Sequence, residues 1–159
     1  MLKKCLYPVA GYGTRFLPAT KSMAKEMLPI VDKPLIQYAV HEAMLAGLTE
    51  QAFVTGRTKR SIEDHFDISY ELENEIKGTP KEKQLEEIRK IRETCVFTYT
   101  RQKEMKGLGH AILTSEPMMG DEPFGVILAD DLCITDGDTV MKQMADLYKQ
   151  FRCSIVAIE

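Results

Sequence analysis

Short apolar runs alternate along this chain with longer stretches in which apolar residues recur three and four positions apart. The first run, Cys5-Leu6-Tyr7-Pro8-Val9-Ala10, suits a buried strand, with Pro8 confined to its edge or end. Leu35, Ile36, Ala39, Val40, Ala43 and Met44 then share one helical face, with Asp32 placed to cap the helix and Gly47 to stop it. That face is expected in the core. Residues 51–55 read as a second strand and residues 59–66 as a short helix. Residues 69–92 read as a charged, mostly helical insertion on the surface, interrupted at Gly78-Thr79-Pro80. A third strand over 96–99, a helix over 108–115 and a fourth strand over 124–128 follow. The last helix, over 140–151, carries Val140, Met141, Met144, Leu147, Tyr148 and Phe151, and residues 152–158 read as a fifth strand.

Strands separated by helices predict an α/β fold: a Rossmann-like, three-layer α/β/α arrangement with a mainly parallel sheet and ligand at the carboxyl ends of the strands. The 159 residues suffice for one domain with a real core and are short for two. No repeat, low-complexity tract or linker divides them, so residues 1–159 form one predicted unit with 69–92 inserted in it.

Composition narrows the function classes. The net charge is −3 with both signs mixed along the chain, which argues against a broad nucleic-acid footprint. No apolar run approaches membrane-spanning length, and Met1-Leu2-Lys3-Lys4 leads into only a short apolar stretch, so neither an anchor nor a signal peptide is expected and the expected compartment is the cytoplasm. Cys5, Cys95, Cys133 and Cys153 show no C-x-x-C spacing and read as buried free thiols. His41, His65 and His110 are scattered, which gives zinc little support.

The chemistry concentrates after the first strand. Gly11 and Gly13 permit positive φ and a close approach of ligand to backbone amides, Thr14 adds a hydroxyl, Arg15 a fork of donors and Lys25 a mobile point charge. Together they read as an anion trap. The third glycine of the dinucleotide fingerprint and the G-K-[ST] of the P-loop are both missing, and G-x-G by itself fits an ordinary strand-to-loop turn equally. Asp130 and Asp131 end the fourth strand at the rim of the sheet, where hard carboxylate oxygens suit Mg²⁺ or simply initiate a loop. Asp136 and Asp138 read as caps of the next helix. Gln102, after the third strand, carries both a donor and an acceptor, although alone it fits a solvated loop residue.

The ordered strings G-Y-G-T-R-F-L-P-A-T-K, K-E-M-L-P-I-V-D-K-P-L-I-Q-Y, K-G-L-G-H-A and L-A-D-D closely resemble the bacterial UTP:glucose-1-phosphate uridylyltransferases, within the sugar-nucleotide pyrophosphorylase superfamily. Ser22-Met23-Ala24 departs from that family's pattern, which carries proline immediately before the lysine. The resemblance implies the nucleotide-binding half of a nucleotidyltransferase fold. It implies Arg15 and Lys25 as catalytic cations, and Ala10, Gly11, Gly13, Thr14, Glu26, Gln102 and Gly107 as nucleotide contacts. Glu26 would accept from the ribose hydroxyls, Gln102 would read uracil N3–H and O4 together and the Gly107 amide would meet uracil O2, while Asp130 would hold Mg²⁺. An ordinary solvated pairing of Glu26 with Lys21 or Lys25 is the alternative for that carboxylate. The implied reaction is attack of glucose 1-phosphate on the α-phosphorus of UTP, giving UDP-glucose and pyrophosphate, in a full-length protein that is a homo-oligomer. The family's sugar-phosphate lysine and second metal-binding aspartate have no match here, and the apolar run Ser154-Ile155-Val156-Ala157-Ile158 before Glu159 reads as a cut end. A truncated chain that binds nucleotide with little turnover is therefore expected; a related enzyme for another sugar, a non-catalytic nucleotide-binding module or an assembly module are the alternatives.

Overall fold

The computed structural model describes residues 2–158, and its organising element is a four-stranded, wholly parallel sheet. The chain begins with β1 (Lys4–Pro8), then winds through three 3-10 turns, Thr14–Phe16, Ala19–Lys21 and Lys25–Met27, into a small hairpin of β2 (Pro29–Ile30) and β3 (Lys33–Pro34). There follow α1 (Leu35–Leu45), β4 (Glu50–Thr55), α2 (Arg60–Phe66), α3 (Tyr70–Ile76), a 3-10 turn at Pro80–Leu85, α4 (Glu86–Thr94), β5 (Val96–Arg101), α5 (Leu108–Thr114), α6 (Glu116–Met119), β6 (Phe124–Val126) and α7 (Val140–Phe151). The sheet order is β5-β4-β1-β6, so all four strands deliver their carboxyl ends to one edge.

Strand alternation divides the core into the two interfaces of a three-layer fold. Cys5, Tyr7 and Phe53 face one side, where Ile36, Val40, Ala43 and Met44 of α1, Ile88 and Ile91 of α4 and Met141 and Ala145 of α7 cover them. Leu6, Ala52 and Val54 face the other, under Ala111 of α5 and Met119 of α6. Tyr7 stacks on Phe53 at 4.7 Å between centroids, and Phe53 on Tyr99 at 5.3 Å, so bulky rings fill the first interface from strand to strand.

Several expectations are corrected. Residues 152–158 form no strand: they pair with neither edge of the sheet, and Val156 and Ile158 are 78% and 90% exposed. Extended apolar chain without a hydrogen-bonding neighbour gains nothing from strand geometry. Asp32 does not cap α1, because Lys33 and Pro34 are drawn into the hairpin and Pro34 occupies the cap position with no side-chain acceptor. Before α7 it is Thr139, rather than Asp136 or Asp138, whose side chain accepts from the Lys142 amide. Residues 69–92, expected on the surface, are helical on either side of Gly78, and the second helix buries Ile88 and Ile91 and so belongs to the core as well as the surface. Cys5 and Cys95 are buried, whereas Cys133 and Cys153 are exposed, since the segments that carry them lie outside the sheet.

Candidate active site

The carboxyl edge of the sheet gathers the ends of β1, β4, β5 and β6. Val9 donates to the Val54 carbonyl, Gln102 to the Thr55 carbonyl and Ile127 to the Leu6 carbonyl, so each strand's hydrogen bonding runs on into the loop that follows it. Ala10 is buried at the end of β1. A Cβ on Gly56, just past β4, would lie 2.9 Å from the Ala10 carbonyl oxygen and 3.3 Å from Met105 Cε. The first loop and the Gln102 loop therefore touch over that glycine.

Within the first loop the two glycines differ. Gly13 adopts φ +68°, and a Cβ there would lie 3.1 Å from Lys25 Cβ and 3.3 Å from Thr20 Cγ2, so Gly13 packs the turn against the lysine stem. Thr20 Oγ1 donates to the Gly13 carbonyl at 2.7 Å and holds that contact. Gly11 instead borders open space. Among the described residues no carbonyl accepts from the amides of residues 11–15, which leaves a run of backbone donors at an exposed turn where Thr14 also lies. Such a run suits an anion.

Lys25 and Arg15 both reach Asp130 from the opposite side of the site. Lys25 Nζ donates to Asp130 Oδ2 at 2.5 Å, with both side chains 15% exposed, and Arg15 Nη2 approaches the same oxygen at 3.4 Å while largely open to solvent. Partial burial works against ionisation of Asp130. The Lys25 hydrogen bond and charge, with Arg15 further out, outweigh it and hold the carboxyl below its ordinary range. A carboxylate is thus fixed between two cations at the open edge of the sheet.

Glu26 is neither solvated nor paired with Lys21 or Lys25. It is 1% exposed, and its Oε2 accepts from Lys59 Nζ at 2.7 Å, the lysine being 2% exposed itself. Its Oε1 is buried without a partner in the protein. Gln102 is buried too, with Nε2 at 3.2 Å from the Gly107 carbonyl oxygen and 2.9 Å from His110 Nδ1. The donor half of the amide, expected to meet a base carbonyl, is already committed within its own loop. Gly107 takes φ +90°, a conformation that favours glycine, and opens α5 by accepting from the Ala111 amide. Lys59 and His110 are the members of this site that sequence reasoning missed. Lys59 is hidden among Arg57 and Arg60, and His110 was weighed only as a metal ligand.

The model of the nucleotidyl transferase family matches residues 9–158. The chain belongs to that family. A UTP–glucose-1-phosphate uridylyltransferase of Pseudomonas aeruginosa is 70% identical over 160 residues, an alignment that takes in 100% of this chain and 57% of the relative. Among solved structures, an apo UDP-glucose pyrophosphorylase superposes with a TM-score of 0.92 at 66% identity, covering 96% of this chain and 56% of the other. A UDP-glucose pyrophosphorylase complexed with UDP-glucose gives 0.86 at 63% identity, covering 96% and 55%. This nucleotidyl transferase chain thus spans little more than half the length of the relatives it matches.

Proposed function

We propose that this domain binds UTP and that, in a protein of its relatives' length, it transfers the uridylyl group to glucose 1-phosphate, releasing pyrophosphate. The observation that carries this reading is the meeting of Arg15 and Lys25 on Asp130 beside unpaired amides of the first loop. The 70% identical relative named for this reaction, and the similar structure holding UDP-glucose, support the choice of substrates.

The chemistry asks little covalent work of the protein. An oxygen of glucose 1-phosphate bonds to the α-phosphorus of UTP in line as the bond from that phosphorus to the oxygen bridging to the β-phosphate breaks, and the electron pair leaves on pyrophosphate. The nucleophile is already ionised at neutral pH, so the protein's task is to hold two mutually repelling anions and to meet charge as it shifts. Arg15 would grip the β and γ phosphates through its paired donors, and Lys25 would follow charge from the α-phosphate to the leaving group. The amides of residues 11–15 would hold the triphosphate, with Gln102 and Gly107 at the base and Glu26 near the ribose.

A divalent cation fits the Asp130 position. Among the described residues no three His, Cys, Asp or Glu side chains group as ligands, so the protein would offer one carboxylate, or two with Asp131, the donor set that suits Mg²⁺ completed by water and phosphate oxygens. Bound there, Mg²⁺ would neutralise phosphate charge and fix the geometry of the chain. Lys25 would then turn from Asp130 to the substrate.

Pyrophosphate release measured with UTP, Mg²⁺ and a series of sugar 1-phosphates, for this chain and for a longer protein that carries it and has its relatives' length, tests the reading. UTP binding by both and turnover by the longer protein with glucose 1-phosphate are expected. Arg15→Ala in that protein is expected to lower kcat by about 10²-fold, the usual loss for a transition-state charge contact, while changing base preference little. Near-normal turnover would remove Arg15 from its role.

A further inference from the structure

Which way round the Gln102 amide sits is decided by its neighbours. The Gly107 carbonyl oxygen can only accept, so the amide atom 3.2 Å from it is the nitrogen. The second N–H then points to His110 Nδ1 at 2.9 Å, which accepts it only while that ring nitrogen is bare. Both amide hydrogens are thereby committed. Oε1 receives no donor among the described residues and is not among the fully buried unpartnered atoms, so it stands as an open acceptor.

We propose that His110 sets the nucleobase specificity of this site by locking the Gln102 amide, together with the Gly107 carbonyl, so that only its oxygen faces the base. The proposal rests on the uridine-nucleotide reading above and deepens it. Uracil carries a hydrogen on N3 and can donate it to Oε1, whereas cytosine has a lone pair at N3 and would meet that oxygen acceptor to acceptor. A freely rotating glutamine would turn its amide and serve either base. Here the turned amide would set Oε1 against the Gly107 oxygen, which can only accept, and against Nδ1 as well for as long as the imidazole proton stays on Nε2, so turning costs an acceptor clash in a buried corner and a change of His110 tautomer. His110 therefore acts as a positioning residue: it need not touch the nucleotide to decide which one fits.

Calorimetric titration of this chain with UTP and with CTP, both with Mg²⁺ at pH 8, tests the idea in the wild type, His110→Leu and His110→Asn. The wild type is expected to favour UTP by at least about tenfold. Leucine offers no acceptor, so His110→Leu is expected to reduce that ratio by about tenfold, chiefly through better CTP binding. The asparagine amide can bring its acceptor Oδ1 near the position of Nδ1 but can also turn its donor there, so His110→Asn is expected to give a ratio between those of the wild type and His110→Leu. A purely structural role would weaken both nucleotides alike and leave the ratio unmoved, which would overturn the proposal while the uridine reading stood. Failure of the wild type to bind UTP would instead bring down both. Should the leucine variant not fold, nitrogen-15 spectra of wild-type His110 still decide: a bare Nδ1 with the proton on Nε2 is expected, and a protonated Nδ1 would refute the lock.

Discussion

Lys25 and Glu26 are neighbours in sequence, yet the fold sends them to opposite electrostatic fates. Lys25 reaches outward to Asp130 at the open edge, and Glu26 turns inward to Lys59. The basic and glycine-rich string around Arg15 and Lys25 was legible, because chemistry and sequence proximity coincide there. The Glu26–Lys59 pair was not, since nothing in a charged residue's neighbours announces burial beside a partner 33 positions away. Breaking a buried pair from one side strands the other charge, at a typical cost of about 3–5 kcal/mol. Lys59→Met is therefore expected to be severely destabilising, and the double variant Lys59→Met with Glu26→Leu to recover most of the loss, because no charge then remains inside. Urea unfolding of the two variants and the wild type checks this; a mild single variant would mean that water reaches Glu26 in solution.

Among elements, hydrophobic period was a sound guide wherever an element owed its form to its own sequence. The α1 face, the apolar strands that became β1 and β4 and the α7 helix appear where the pattern put them, although Leu147 and Phe151 of the α7 stripe are exposed and Met141 and Ala145 are its buried residues. It failed where form depends on a neighbour. Residues 152–158 have the composition of a strand and no ladder to join, and the small β2–β3 hairpin is set by pairing across a turn rather than by periodicity. The close approach of the loops at Gly56 is likewise invisible in sequence, because the Ala10 oxygen it accommodates belongs to the loop after a different strand. Gly56→Ala would place a Cβ 2.9 Å from that backbone oxygen, which no rotamer change can relieve. A loss of about 1–3 kcal/mol in urea unfolding is expected, accompanied by weaker UTP binding as the first loop is pushed away from the Gln102 loop. Unchanged stability would show that the two loops sit further apart than this geometry has them.

For the whole molecule, the sheet concentrates weak acids whose burial makes them hold their protons to higher pH than in water. Burial raises the Cys5 thiol from an ordinary value of 9.0 to about 12 and pushes the Tyr7 phenol well above its own. Desolvation also raises Cys95 and Tyr99, whose phenolic oxygen is buried without a partner. These four groups lie on β1 and β5 and at the start of the latter, around the ring stack that joins the strands. In the unfolded chain each ionises near its ordinary value, while in the fold it keeps its proton. Below about pH 9 both states hold these protons and the groups add no pH dependence. As pH rises further the unfolded state alone releases them, so the unfolded state is favoured by about 1.4 kcal/mol per pH unit for each group fully in that window. Stability from urea midpoints is therefore expected to be flat in this respect from pH 7 to 8.5 and to fall steeply beyond pH 9. Cys5→Ala is expected to make that alkaline fall shallower, because Cys5 lies in an interior strand of the sheet and its raised pKa comes chiefly from burial. An identical alkaline slope in the variant would mean that the Cys5 thiol ionises in the folded protein almost as readily as in water, contrary to its complete burial.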